Sequence, residues 1–493
     1  MQDKKNVLLT GASGSMGNAA FHELIKRSDE VNLTLFLRPS RRNKRIFGKY
    51  GDAIRVVWGD LRDYAAVREA VRGQEYILHP AALISPEADH YPEKSYEINV
   101  GGVENIIRAI KVEPDGAERI KLATIGSVAQ YGDRLPPVHR IRTGDPMAPS
   151  RFDFYGTTKI AAERVLIESG LKHWVSLRQT YIAIPDSMSL MDPIMYHQPI
   201  EQHMELNTDA DAGYGLSRVI DMDDDSDFWR RIYNMAGGES CRIIYIDYIK
   251  EMMDLLSMGD YQKIMNRDWF ALRNFHCGYF EDSHILHQYL GNQRQSLEDH
   301  YQQVKEASAW YVALGKYVPK PIIKHLVMKP MASRKDGPLY WKKNHEKMAE
   351  RVIAFFGSPE QSRQVGGWDD IPDISGEANL LDHGYDTSVH VEALTLNELR
   401  EAARFRGGEL ISPSYNEDRA DKLKWKCAFG HEFEASTGLV LLGGHWCPHC
   451  EAPGWNHDAI ARVNPFFAQV HHNTHHPEED NCFDEGICQA MVV

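Results

Sequence analysis

No apolar run in this 493-residue chain approaches the ~20 residues that a membrane-spanning helix requires. The opening stretch MQDKKNVLLTGASG passes straight into a strand-and-turn pattern, with no charged n-region, apolar h-region or cleavage site, so a cytoplasmic protein is the expectation. Positive charge is in deficit: 56 Lys and Arg stand against 70 Asp and Glu, a formal net charge of −14. That balance disfavours a nucleic-acid-coating protein and points to small-molecule partners. Internal repeats are absent, which excludes a solenoid. Cysteine is scarce, with seven residues. Cys241, Cys277, Cys482 and Cys488 are scattered, whereas Cys427, Cys447 and Cys450 crowd together near the end, and such clustering suggests a metal rather than disulfides.

What the chain does have is enough apolar material, 43% of residues, for several real cores. From residue 6 to about 185, β-rich runs such as NVLLTG, LTLFLR and IKLATIGS alternate with helix-period segments such as NVGGVENIIRAIK and YGTTKIAAERVLIESG. This alternation predicts an α/β fold: a doubly wound parallel Rossmann sheet over 1–185, a smaller substrate domain over 186–315 and a small C-terminal zinc-binding domain over 391–455. The Pro- and Lys-containing stretch 316–390 reads as a linker with one helix. The tail 456–493, with His471, His472, His475 and His476, reads as a mobile or surface-packed end.

The run VLLTGASGSMG places Gly11, Gly14 and Gly17 between a buried strand and a helix. Glycine there allows the sharp turn, lets the backbone approach a pyrophosphate and lets helix pack on strand, while the helix N-terminus meets the negative charge. Tyr155 and Lys159 lie four apart on a helical stretch and share a face, where an ammonium stabilises a phenolate for proton transfer.

The order of these and further motifs resembles the extended short-chain dehydrogenase/reductases, the epimerase/dehydratase family. The resemblance rests on GASGSMG, WGDLRD, HPAAL, EINVGGVENII, TIGSVAQYG, YGTTK and SLRQTYIAIP over about 185 residues. It implies cofactor contacts from Gly11, Ser13, Gly14, Ser15, Met16 and Gly17, from Asp60 and Leu61 at the adenine, from Ala81 and Ala82 along the cofactor, and from Tyr181. It also implies that Ser127 binds the substrate oxygen, that Tyr155 is the acid/base, that Lys159 holds the nicotinamide ribose as well, and that Asn99 either contacts the site or supports its helix. A homodimer through the helix carrying Tyr155 and its neighbour is a further implication.

An NAD enzyme of this type usually ends its second strand in an acidic residue, but here LTLFL ends in Arg38, followed by Arg41 and Arg42, a set suited to a 2′-phosphate. The expected cofactor is therefore NADP(H), with NAD as the alternative. Ser127-Val128-Ala129 lacks the carboxylate of the family's dehydratases, so sugar dehydration is disfavoured. The expected function is an NADP(H)-dependent oxidoreductase acting on a bulky apolar or aromatic ketone, aldehyde or alcohol. Trp269, Phe270, Phe275, Tyr279, Phe280, Met188, Met191 and Met195 would line its pocket, unless they are simply core. Arg218 keeps a nucleotide-sugar epimerase in view by falling near the family's diphosphate position, and a non-enzymatic NADP redox sensor is a third reading.

Cys427-x3-His431 followed by Cys447-x2-Cys450 supplies three thiolates and an imidazole, a closed tetrahedral set expected to hold a structural Zn2+, with His445 and His449 as substitutes for His431. The segment around it resembles treble-clef zinc modules. A clip of this kind would let so small a segment fold as a separate unit.

Overall fold

The computed structural model describes residues 4–186, 191–372, 374, 376–451 and 456–483. Seven parallel strands form the central sheet: β1 (Lys5–Thr10), β2 (Val31–Leu37), β3 (Arg55–Trp58), β4 (Tyr76–His79), β5 (Lys121–Ser127), β6 (His173–Gln179) and β7 (Arg231–Met235), in the order β7-β6-β5-β4-β1-β2-β3. The chain moves outward from β1 through β2 to β3, then restarts on the other side of β1 with β4. This reversal opens a crevice between the C-terminal ends of β1 and β4, the position at which doubly wound sheets bind ligands.

Helices α1 (Ser15–Ile25) and α5 (Asp209–Arg218) cover one face of the sheet, burying Ala20, Phe21, Leu24, Ala212 and Leu216. The other face carries α2 (Tyr64–Val71), α3 (Pro92–Lys111) and α4 (Phe154–Ile167). The continuous burial of β6, residue after residue, is what a strand covered on both faces requires.

Several boundaries differ from those read in the sequence. The sheet does not end at residue 185, because β7 comes from the stretch assigned to the substrate domain and pairs with β6 from Arg231↔Val175 to Met235↔Gln179. The Pro- and Lys-rich stretch is no solvated linker: its short helices bury Ile323, Met328, Met331 and Ala332 against Met204, Ile249 and Trp269, and Trp341 packs with Phe355. The lysines that gave the stretch its polar composition lie mostly on its outer side. Of the two readings of the tail, its described part, 456–483, takes the packed one, through His457–Val463 and Pro465–His471, with His471 bonded to Asp458 at 2.5 Å.

The C-terminal module, with α6 (Leu396–Phe405) and the antiparallel strands β8 (Glu409–Leu410), β9 (Lys422–Lys426) and β10 (Glu432–Ser436), is not a separate unit either. Leu399, Ala402, Trp425, Phe433 and Leu441 belong to one apolar core with Ala161, Ala162, Leu166 and Ile167 of α4. The surface of α4 that the resemblance assigns to a second copy is thus covered by this chain's own C-terminal residues. Trp425 is fully buried at the centre of the module and donates from Nε1 to the Ala435 carbonyl at 2.9 Å. Trp425→Ala is expected to cost about 3–5 kcal/mol. Differential scanning calorimetry should show the whole chain melting lower in one transition, and two resolved transitions would show that the shared core does not couple the module to the sheet.

Candidate active site and metal centre

The crevice is built by a close backbone approach. Gly11 has φ +62° in the left-handed region, and a Cβ there would lie 2.8 Å from the Ala81 Cα, so the residue after β1 abuts the segment after β4. A Cβ on Gly17 would fall 2.2 Å from the Gly11 carbonyl oxygen. Gly14 caps α1 without a side chain, which leaves the first-turn N–H groups of the helix to an incoming anion. Ser13 is half-buried, Gly14 and Ser15 are exposed at the rim, and Met16 anchors the turn in the core beneath. These residues fit a dinucleotide pyrophosphate.

Arg38, Arg41 and Arg42 stand exposed beyond β2, and none of them forms an ion pair among the described residues. Asp60 accepts from its neighbour Arg62 at 2.9 Å, while Leu61 is buried under Gly102. Ala81 donates from its backbone N–H to Thr10 Oγ1 at 3.3 Å, and Ala82 beside it is half-buried. Tyr181 packs against the core that holds Met204, Tyr248 and Ile249, and its hydroxyl bonds with Tyr248.

Tyr155, Ser127 and Lys159 are brought together at the end of β5 and the start of α4. Asp153 caps α4, accepting from the Gly156 N–H at 2.7 Å. Ser127 closes β5 and bonds with the Tyr155 hydroxyl. Burial pushes that phenol well above its ordinary value, and Asp153 and Asp89 add to the rise while Ser127 opposes it. The Lys159 ammonium lies 5.6 Å from the Tyr155 ring centroid and is fixed by the Ile125 carbonyl at 2.7 Å. Burial lowers its pKa to about 8, with Glu163 pulling the other way.

Asn99 is committed elsewhere. Its amide oxygen accepts from Leu83 N–H at 2.7 Å, and its amide nitrogen donates to the Leu83 carbonyl at 2.9 Å and to Thr158 Oγ1 at 3.0 Å. It braces α3 against α4 and the loop after β4.

The aromatics proposed for a substrate pocket are largely core: Trp269, Phe270 and Met195 share one buried cluster and Phe280 another, with Phe275, Tyr279 and Met191 half-buried, while Met188 lies outside the described residues. Arg218 sits at the end of α5, paired with Asp221 at 3.0 Å, and Asp221 also binds Arg27 beyond the last turn of α1. The α1 helix runs about 16 Å from the glycine turn to that end. Arg218 therefore lies at the far end of α1 from the glycine turn.

Sequence reasoning missed a fully buried polar node one turn beyond Lys159. Glu163 accepts from Arg178 Nη2 at 2.5 Å, Ser176 Oγ at 2.5 Å and Gln130 Nε2 at 3.1 Å, and is joined by His445 Nε2 at 3.1 Å. Burial alone would raise its pKa, but Arg178 and His445 outweigh that and hold it well below the carboxylate range. Spacing offered one clue, since Glu163 is four residues from Lys159 on the same helical face. Asp89 was also missed: it accepts from the Tyr155 N–H at 3.2 Å, and burial followed by the nearby Asp153 pushes it up to about 7.

In the C-terminal module, the ligand atoms of Cys427, His431, Cys447 and Cys450 all lie within 4.8 Å of one another. His431 Nδ1 is 3.4, 3.7 and 3.5 Å from the sulfurs of Cys427, Cys447 and Cys450, and the Cys450 and Cys427 sulfurs are 3.8 Å apart. A tetrahedral ion with metal–sulfur bonds of about 2.3 Å requires edges of about 3.8 Å between sulfurs, so the four residues fit one. Of the three candidate imidazoles, His431 is the one grouped with the three sulfurs, and His445 is turned inward to Glu163. Cys447→Ser should drop bound divalent metal, measured by inductively coupled plasma mass spectrometry, from one equivalent per chain to a small fraction, and retention of a full equivalent would show that the four residues are not the ligands.

Residues 7–180 match the model of the NAD dependent epimerase/dehydratase family. Among curated proteins, the UDP-glucose 4-epimerase of Rickettsia bellii is 30% identical over 113 residues, covering 22% of this chain and 33% of that protein. That of Rickettsia akari is 32% identical over 111 residues, covering 21% and 32%. The chain thus spans about a third of the length of the curated relatives it matches. Among solved structures, the dTDP-glucose 4,6-dehydratase DesIV of Streptomyces venezuelae is 17% identical, with 62% of this chain and 98% of that chain covered and a TM-score of 0.49. The UDP-Glc/GlcNAc 4-epimerase of Campylobacter jejuni is 16% identical, with 61% and 98% covered and a TM-score of 0.47. The glycine turn, the strand ending in Ser127 and the Tyr155–Lys159 helix all lie inside the segment, residues 7–180, that matches the NAD dependent epimerase/dehydratase family.

Proposed function

We propose that this protein is an NADP(H)-dependent oxidoreductase that interconverts a carbonyl and an alcohol on a small molecule, with Tyr155 as the acid/base. The observation that carries this reading is the trio in which buried Ser127 bonds with the hydroxyl of half-buried Tyr155 and buried Lys159 sits 5.6 Å from its ring. The nicotinamide, when bound, supplies or accepts the hydride. The chain's part is the proton. Ser127 orients the reacting oxygen, Tyr155 gives its phenolic proton to that oxygen in reduction and takes it back in oxidation, and the Lys159 charge lowers the cost of the phenolate. Burial of Trp269, Phe270 and Phe280 leaves the pocket without the aromatic wall expected for an apolar substrate, so the substrate class is proposed only as a carbonyl or alcohol. Arg38, Arg41 and Arg42, with no ion pair among the described residues, support NADP(H) over NAD. The Cys/His set we propose to hold zinc in a structural role, because four protein ligands leave no open position for catalysis.

A second reading, nucleotide-sugar epimerisation with a retained cofactor, is favoured by the curated relatives being UDP-glucose 4-epimerases. Nucleotide that copurifies at one equivalent as NAD and does not exchange with added NADPH would move that reading to first place. An intact proton-transfer trio weighs against a pure redox sensor.

Tyr155→Phe is expected to lower kcat by about 10²–10⁴-fold while leaving cofactor affinity unchanged. The lysine is charged below its lowered pKa and neutral above it, so kcat/KM should fall as pH rises through about 8, and Lys159→Met should remove that limb. A profile flat across pH 7–9 in the parent enzyme would overturn the role given to Lys159. Charge-assisted hydrogen bonds contribute about 1.5–3 kcal/mol, so Arg38→Asp should weaken NADPH binding by about tenfold or more while sparing NADH, as read by fluorescence titration. Equal loss for both nucleotides would show that Arg38 does not read the 2′-phosphate.

A further inference from the structure

A cavity of about 360 Å³ lies between the β6–β7 edge of the sheet and the C-terminal module, apart from the crevice that holds the glycine turn. Its volume is in the range of small-molecule sites. One wall is apolar, formed by Leu171, Trp174 and Ile232, and the opposite wall is the segment 387–392. Ile167, also on the lining, follows Lys159 by eight residues along α4, a distance of about 12 Å. The cavity is therefore no part of the catalytic trio.

Its charge runs against that of the chain. Three guanidiniums, Arg230, Arg231 and Arg419, meet two carboxylates on the lining, in a protein with a net charge of −14. Both carboxylates are occupied: Glu392 is clamped by Arg419, and Asp282 accepts from Thr143 N–H at 2.7 Å, Thr143 Oγ1 at 2.8 Å and Asn234 Nδ2 at 2.7 Å. Among the described residues the other two arginines have weaker acid partners: Arg230 lies 3.9 Å from Asp418, and Arg231 makes a long hydrogen bond of 3.4 Å to Asp227. Both separations exceed the roughly 2.7–2.9 Å of a charge-assisted hydrogen bond. Arg230 is moreover held at φ +58°, where a side chain other than glycine is uncommon, by its N–H donating to the Trp174 carbonyl at 2.7 Å. The backbone is thus strained at the residue that brings a second guanidinium to the cavity.

We propose that this cavity binds a small organic anion, its apolar or aromatic body lying on Leu171, Trp174 and Ile232 and its carboxylate, sulfonate or phosphate group held by Arg230 and Arg231. The site is additional to the catalytic one, and because its walls come from the sheet edge and from the module, an occupant ties the two together.

The test uses the full chain titrated by calorimetry with 8-anilinonaphthalene-1-sulfonate, whose aromatic body and fixed negative charge match the site. Saturable binding of one equivalent is expected, unaffected by saturating NADPH or NADH and unaffected by Tyr155→Phe. Affinity should fall at least tenfold in the Arg230→Gln/Arg231→Gln double variant and for the uncharged N-phenyl-1-naphthylamine. His390→Glu, an exposed position on the lining, places a carboxylate against the anion and should weaken binding similarly, which keeps the test open should the double variant fail to fold. Absence of saturable binding, displacement by either nucleotide, equal affinity for the uncharged probe, or a folded variant that binds as tightly as the parent would each overturn the proposal.

Discussion

A single buried carboxylate holds three parts of this molecule in register. Isolated in an apolar interior, the Glu163 charge would be prohibitively costly, so its position obliges Arg178, Ser176, Gln130 and His445 to converge on it. Those partners come from β6, from the turn after β5 that follows Ser127, and from the C-terminal module. Arg178 continues the network, donating to the Tyr131 hydroxyl at 2.7 Å and to the Gly443 carbonyl at 2.6 Å, and Tyr131 in turn donates to Asn234 on β7. The helix that presents Tyr155 and Lys159 is thereby pinned to the sheet from behind, one turn past the chemistry.

The module adds a second clamp beside the first. Arg164 donates to the Trp446 carbonyl at 2.7 Å and to Glu451 at 2.8 Å, and Glu451 also bonds the Trp446 N–H. Trp446 directly precedes Cys447, so the loop that brings Cys447 to the Cys/His set is the loop that grips α4. Closure of the Cys/His set around an ion would therefore fix the shape of the loop that meets α4.

How much of this could be read from the sequence depends on the distance over which each feature is encoded. The glycine turn, the Tyr155–Lys159 pair and the Cys/His set are local spacings, and each carries its geometry within a few residues. Strand β7 could not be placed, because pairing with β6 joins residues more than fifty apart and nothing in RIYNM distinguishes a sheet edge from a separate domain. The stretch after 316 misled through composition: its lysines and prolines suggest solvent, yet Ile323, Met328 and Met331 are spaced to bury one side. Asn99 was found by its motif but not its task, since an amide in a motif does not reveal that both its ends are spent on Leu83 and Thr158. Glu163 offered only its spacing from Lys159, because its meaning lies in partners up to 282 residues away.

The shared core of the module and α4 has a consequence for how such a chain can change over time. Leu441 and Trp446 rest in the same packed volume as Ala161 and Ala162, so a side chain enlarged on one side must be answered by one reduced on the other. The appendage cannot be exchanged for another of similar outline, nor can the helix bearing Tyr155 drift to a new sequence, without a matching adjustment across that boundary. The two stretches, separated by almost three hundred residues of chain, are bound to vary together.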